Sequence, residues 1–317
     1  MSGISIVLLA ALCFCAQNVT VRILFNTSSV FGWEGVGGFV EPSLANSFLL
    51  LALRMVWVVP VLSVVSLRLY PPLWGAIAQL RHPQHRRLRG KAIAGGGLMF
   101  LYLALLYISI GLIPTGIALI LFFLYPLFTL ILTTILGQQA PTPVQLAVMV
   151  MMLTGTALTL SPSGMNAVPH QGLGMICGVA AGLAYAGYTL VGQQSFQELH
   201  PIPFTWLSFA ITLLLAALFL PFTLDLPPDV HWLGLWVGSL ISALATLIGH
   251  VLQNLGIRQI GANQTALIGS SNPTLTLILA WVAIGESLTW IQVLGVVVVT
   301  LGIIILRHRD MAAIAKQ

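Results

Sequence analysis

The sequence predicts an all-α integral membrane protein: ten transmembrane helices in two inverted five-helix repeats around a central cavity. Three observations carry that expectation. The 317 residues are 58% hydrophobic and only 6% charged, whereas soluble domains carry about a quarter charged residues. Apolar runs of about 20 residues, the length that crosses the hydrocarbon core of a bilayer, recur along nearly the whole chain. The second half also repeats landmarks of the first in one register. No stretch is long or polar enough for a separate soluble domain.

The predicted spans cover residues 4–25, 46–69, 92–112, 115–136, 144–161, 172–193, 204–222, 232–256, 264–284 and 289–306. The first is too long for a signal-peptide core and lacks a basic flank, so it reads as a retained helix. The breaks have mechanisms. Pro71-Pro72, Pro114, Pro141, Pro143, Pro162, Pro201, Pro203 and Pro227-Pro228 punctuate helix ends, because proline lacks the amide a helix needs and clashes with the preceding turn. Asn26 to Asn46 reads as the one sizeable loop on its side.

Charge placement gives the topology. Of the twelve basic residues, Arg68, Arg81, Arg86, Arg87, Arg89, Lys91, Arg258, Arg307, Arg309 and Lys316 fall in even-numbered loops and the tail. Odd loops carry Glu34, Glu41, Asp225, Asp229 and Glu286 but no Lys or Arg. Positive charge marks the cytoplasmic side, so both termini are expected there, in a plasma (inner) membrane. The same placement explains the formal charge of +5 without nucleic acid, since the basic loop Arg81–Arg89 serves as a topology anchor in contact with anionic lipids. His82 and His85 within it are weak metal candidates. Cys13, Cys15 and Cys177 lie in apolar segments and read as small buried hydrophobes. Neither a metal site nor a cofactor is implied.

A shift of 147 residues aligns the two halves without a gap. Pro126 falls on Pro273, Thr129 on Thr276, Thr142 on Thr289, Gln145 on Gln292 and Gly155 on Gly302. A shift of 171 brings Ala10, Leu12 and Phe14 onto Ala181, Leu183 and Tyr185. The expected repeats are residues 1–161 and 162–317. Five spans are an odd number, so the second repeat must be inverted relative to the first. Inverted repeats are the recurring architecture of secondary transporters, which bind solutes near the midplane between the halves.

The run Pro126-Leu-Phe-Thr-Leu-Ile-Leu, and its partner from Asn272-Pro273 through Gly285-Glu286-Ser-Leu-Thr with Gln292 and Gly295, resembles the paired signature of EamA-type transporters of the drug/metabolite transporter superfamily. Arg54 in Leu-Ala-Leu-Arg is similar to that family's arginine in its second span. The resemblance implies ten helices, cytoplasmic termini, a central cavity, and efflux or exchange of amino acids, other metabolites or drugs. One departure is Gln139, where the second repeat has Glu286.

Polar residues inside the membrane are costly and are candidates for function. The expected substrate cavity takes Gln17, with Asn18 beside it, from span one. Tyr102 and Tyr107 come from span three, Tyr125 from span four, and Tyr185 and Tyr188 from span six. Span eight adds His250, Gln253 and Asn254, and span nine adds Ser271 and Asn272 beside Ser270. The tyrosines could stack on a planar substrate or simply pack, each hydroxyl bonded to a neighbouring helix. His250 could bind substrate or carry a proton, or serve as an interhelical hydrogen-bonding group. Pro126 and Pro273 each free a carbonyl in mid-membrane and are candidate hinges. Arg54 reads as a structural charge that pairs with Glu41, holds loop carbonyls, or attracts an anion, while Arg22 can snorkel to the surface. The small-residue stripes Gly174-Gly178-Gly182 and Gly234-Gly238-Ser242 favour close helix approach, within one chain or across a homodimer.

No Asp or Glu falls at the midplane, so weak coupling, exchange or facilitated efflux is expected. A transporter of small neutral or zwitterionic metabolites by alternating access leads. A multidrug efflux protein of the same superfamily and a non-transporting receptor or scaffold are the alternatives. An intramembrane enzyme would need a nucleophile–base or paired-acid constellation, and the sequence offers none.

Overall fold

The computed structural model describes residues 2–30, 32–41, 44–113, 115–137, 142–159, 171–223, 231–285 and 289–314. Pro114, Gln139, Pro141, Pro162, Asp225, Pro227-Pro228, Asp229, Glu286 and Lys316 lie outside the described residues, as do the side chains of Arg307 and Arg309.

Helix α1 (Gly3–Phe25) starts at Ser2, whose hydroxyl accepts the Ser5 amide. A β-hairpin of β1 (Ser28–Val30) and β2 (Trp33–Val36) follows. It stands where only a loop was expected, because two short strands exposed to solvent leave no hydrophobic alternation to read. Next come α2 (Leu44–Leu69), α3 (Leu73–Gln79) and α4 (Arg86–Leu112), then α5 (Thr115–Phe122), α6 (Tyr125–Ile135) and α7 (Pro143–Thr159). The second half holds α8 (Gln171–Ser195), α9 (Pro201–Thr223), α10 (Trp232–Gly269), α11 (Asn272–Ile284) and α12 (Trp290–Ile314).

Among the described residues, seven helical segments are long and apolar enough to cross a membrane. Three shorter apolar helices, Pro143–Thr159, Asn272–Ala283 and Trp290–Ile305, accompany them. The chain is thus an all-helical, multi-pass integral membrane protein.

The expected break between residues 256 and 264 falls at Gly261, whose φ of 82° and ψ of 166° only glycine adopts readily; α10 is two helical stretches that meet there at a kink, and the second runs only to Gly269. One expectation is corrected: Pro126 and Pro273 do not sit inside continuous helices. Each lies at the second position of a new helix, α6 or α11, where the missing amide costs little. The breaks fall just before them, at Phe123-Leu124 and Ser270-Ser271. Carbonyls around the second break are satisfied locally. The hydroxyls of Ser270 and Ser271 bond Leu267 O and Ile268 O, both at 2.6 Å, and Thr156 Oγ1 bonds Ser270 O at 2.9 Å.

The 147-residue register reaches down to helix ends. Phe122 and Gly269 end helices, while Tyr125 and Asn272, and Pro143 and Trp290, begin them. The caps match as well. Gln145 Oε1 accepts the Thr142 amide at 2.9 Å, and Thr142 Oγ1 accepts the Gln145 amide at 3.4 Å. Thr289 and Gln292 form the same reciprocal box with the same two distances.

Packing interleaves the halves. Helix α1 lies against α10 and α11, as α8 lies against α4, α5 and α6; α7 pairs with α12, and α2 with α9. Both glycine stripes pack within the same chain, the first against α4 and α5, the second against Phe39 and against Leu24 of α1. A Cβ at Gly178 would meet Ser109 and Leu121, and one at Gly182 would press on the Phe122 carbonyl at 2.7 Å. The apolar core gathers at the centre around Tyr102, Tyr188, Phe204, Phe209 and Met99.

Candidate functional site

Four tyrosines meet at the centre of the bundle. The Tyr185 ring lies 4.8 Å from Tyr102, 4.6 Å from Tyr125 and 6.2 Å from Tyr188, centroid to centroid. Helices α4, α6 and α8 supply them, and the three-residue spacing of Tyr185 and Tyr188 puts both on the inner face of α8. Three of their hydroxyls are tied to α10. The Gln253 amide donates to Tyr185. Asn254 Nδ2 donates to Tyr188 at 3.0 Å and to Thr205 Oγ1 at 2.8 Å. Tyr125 donates to the Ala266 carbonyl at 3.3 Å.

Beside this cluster is a narrow cavity of about 20 Å³, lined among others by Phe14, Tyr125, Tyr185, Gln253, Thr265 and Asn272. Its walls therefore come from both halves: α1 and α6 on one side, α8, α10 and α11 on the other. Asn272 is held from across the cavity by Cys15, whose thiol donates to Oδ1 at 3.1 Å. One turn further, Asn18 Nδ2 reaches Thr276 Oγ1 at 3.3 Å. Thr265 Oγ1 is buried without a partner among the described residues, so a polar group remains available to a solute. The lining mixes aromatic faces with amide and hydroxyl groups and, among the described residues, holds no charged side chain.

His250 sits deeper along α10 and is 5% exposed. The rings of Phe14 and Phe209 meet it edge-on at 4.9 and 5.3 Å. It is an aromatic-clamped neighbour of the cavity rather than part of its wall.

Of the expected cavity residues, Tyr125, Tyr185, Gln253 and Asn272 line the cavity, Tyr102, Tyr188 and Asn254 belong to the adjoining cluster, and three more besides His250 lie elsewhere. Tyr107 is five positions from Tyr102, about 140° around the helix, and joins Arg54 instead, accepting from Nη2 at 3.1 Å. Gln17 bonds only its neighbour Asn18, at 3.4 Å. Ser271 spends its hydroxyl on the helix break. The expected Arg54–Glu41 pair does not form either: Glu41 is exposed, while Arg54 is 4% exposed and turns toward α4. Conversely, Cys15 and Thr265 were not among the expected cavity residues. A thiol in an apolar run carries no sequence mark of a hydrogen bond, and Thr265 lies inside the predicted ninth span with nothing in its spacing to set it apart from other helical threonines.

A second narrow cavity, of about 20 Å³, lies near the hairpin end of the bundle, between α1, α2, α4 and α10. Among the described residues no group of three His, Cys, Asp or Glu side chains could hold a metal.

Comparison with known proteins decides the family. The EamA-like transporter family matches residues 172–307. An uncharacterized transporter of Synechocystis sp. is 49% identical over 98% of this chain and 94% of its own length. The chain belongs to the EamA-like transporter family, within the drug/metabolite transporter superfamily. This transporter is also similar to the threonine/homoserine exporter RhtA of Salmonella typhimurium, 27% identical over 63% of each chain. A solved crystal structure superposes with a TM-score of 0.75 over 95% of this chain and 94% of that one at 17% identity, a likeness of fold.

Proposed function

We propose that this EamA-like transporter exports or exchanges small neutral or zwitterionic metabolites, amino-acid-like and including aromatic ones, by alternating access. The observation that carries the proposal is the uncharged cavity between the halves, where Tyr125, Tyr185, Gln253 and Asn272 converge on one space. The activity for which RhtA is named, threonine and homoserine export, favours the same substrate class.

The supporting architecture is ten spanning segments in two inverted repeats, with both termini in the cytoplasm of a plasma (inner) membrane. Matched helix boundaries, matched Thr–Gln caps and the interleaved packing of α1 and α8 support it. In such a frame the breaks before Pro126 and Pro273 act as paired hinges, and the side chains bridging α1 to α11 would separate as one face closes and the other opens. The lining holds no carboxylate to carry a proton or sodium ion, so the substrate gradient drives transport.

A stabilisation screen on purified protein tests this, with amino acids, nucleosides, sugars and cationic drugs. Neutral and zwitterionic solutes are expected to raise the melting temperature, and the same solutes to exchange in proteoliposomes without a pH gradient. Stabilisation by multivalent cations alone would sink the proposal and favour multidrug efflux.

A further inference from the structure

We infer that the cavity at the hairpin end is a carboxylate-binding subsite built on Arg54, separate from the central cavity. This deepens the transporter reading and rests on it only for the identity of the carboxylate's carrier.

Arg54 stands about 15 Å into α2, ten residues from its start at 1.5 Å each. It is 4% exposed, and among the described residues its one hydrogen bond is to the Tyr107 hydroxyl. Nε is buried without a partner, and so are the hydroxyls of Ser239 and Ser242; all three residues line the same cavity. The serines are unusual here. Thr246, Ser208 and Thr212 each return their hydroxyl to the carbonyl four residues back, the ordinary outlet for a helical hydroxyl, yet Ser239 and Ser242 do not.

What converges is therefore a set of donors with no acceptor of matching charge. A guanidinium has five N–H groups, no acceptor and a permanent charge. Burying it unpaired in a membrane protein costs several kcal/mol, and no acidic residue pairs with it among the described residues. A carboxylate completes the site. Its two oxygens match the flat Nε–Nη edge of arginine, and either serine can donate a further bond. Tyr107 fixes the guanidinium plane.

Both cavities are lined by α10. Ser239, Ser242, Thr246, His250, Gln253 and Asn254 form a buried polar stripe along α10. From Ser242 to Gln253 the stripe spans about 17 Å, too far for one small solute to touch both ends. The subsite is thus a separate station for the acid group of a solute entering or leaving at the hairpin end, and the substrate class narrows to metabolites that carry a carboxylate.

The test uses the full-length chain in detergent, with sodium acetate and acetamide as probes at fixed ionic strength. Acetate is expected to raise the melting temperature and acetamide to leave it unchanged. R54Q should lose the acetate response, with apparent affinity at least tenfold weaker, while melting no lower than wild type, because it removes an unpaired buried charge. R54K should keep a reduced response. Y185F, at the other cavity, should respond to acetate as wild type does. Should R54Q not fold, the S239A/S242A variant carries the test through a several-fold weaker acetate response. Equal effects of acetate and acetamide, an unaltered response in R54Q, or stabilisation by methyl phosphate in place of acetate would each overturn the inference. An intact acetate response with no solute exchange in proteoliposomes would leave the subsite standing and remove the transport proposal instead.

Discussion

The thiol of Cys15 on α1 reaches across the cavity to Oδ1 of Asn272, 3.1 Å away at the first turn of α11. The contact joins the two halves where one of the paired helix breaks occurs. Cys15 is fully buried, so the bond is formed out of reach of water. Asn18 and Thr276 repeat the arrangement one turn on, and together the two bonds pin α1 to the start of α11.

That bridge should be modest in stability and larger in transport. Interhelical hydrogen bonds in membranes average about 0.6 kcal/mol, so a C15A/N272A double-mutant cycle should return a coupling of about that size in melting experiments. C15S, which keeps a donor, should recover most of it. Transport should fall further than stability in C15A, since the bridge lies between the parts that must separate. A coupling indistinguishable from zero would mean the contact is incidental packing.

Tyr185 and Gln253 give a sharper prediction. The Y185F substitution keeps the ring among Tyr102, Tyr125 and Tyr188 but leaves the buried Gln253 amide without its acceptor. An unsatisfied buried donor costs about 1–3 kcal/mol, and a loss of about 1.4 kcal/mol in solute binding is a factor of ten. Initial exchange rates at low solute concentration should drop by about tenfold or more, and Q253L/Y185F should bind no better than Y185F. Wild-type exchange by Y185F would remove this pair from the substrate site.

Much of the architecture was legible because the bilayer makes hydropathy and proline placement decisive. Apolar runs marked the helices, and the repeat register located helix starts as far apart as Pro143 and Trp290. Tyr185 and Tyr188 were readable as one face from their spacing alone. What escaped depends on partners that sequence does not pair. Nothing about Tyr107 announces that it faces Arg54 except its offset of about 140° from Tyr102. The second break, at Ser270-Ser271, is quieter in hydropathy than the polar stretch around Gln259 and Asn263, which holds the kink at Gly261. The hairpin strands Ser28–Val30 and Trp33–Val36 are three and four residues long, too short for an alternation to be detected.

His200 provides a pH dependence outside the membrane. It stacks on Tyr70, ring centroids 4.3 Å apart and nearly parallel at 11°. Burial, and then the positive charge of Arg258, hold its imidazole below its ordinary 6.5. The folded state therefore binds this proton less readily than the unfolded state, and stability falls as pH drops. The loss should begin near the ordinary 6.5 and grow toward the lowered folded value. Melting temperatures measured across about pH 8 to 5, the range in which histidine titrates, should decline below neutrality, and H200Q should flatten that decline. An unchanged slope in H200Q would assign the effect to other groups.

Two glycines should respond to the same substitution with opposite signs. Gly261 holds φ of 82° and ψ of 166° inside α10, a conformation closed to residues with a Cβ. A Cβ there would find room, since its nearest neighbour is Gln193 Oε1 at 3.6 Å, so backbone strain alone opposes G261A. Such strain costs about 1–3 kcal/mol. It would also disturb the kink at which the Ala262 amide donates to Gln193 Oε1 at 2.5 Å, the contact that sets where the last turns of α10 begin. Gly90, by contrast, is exposed in α4, where a Cβ would meet nothing within 4 Å and φ is not positive. There alanine removes only the entropic penalty of glycine, which is worth up to about 1 kcal/mol in an exposed helix. G261A should lower the melting temperature and G90A should hold or raise it, both read in the same detergent. A G261A variant as stable as wild type would show that the chain passes this point without needing glycine, and the kink would then be a preference of packing rather than of backbone geometry.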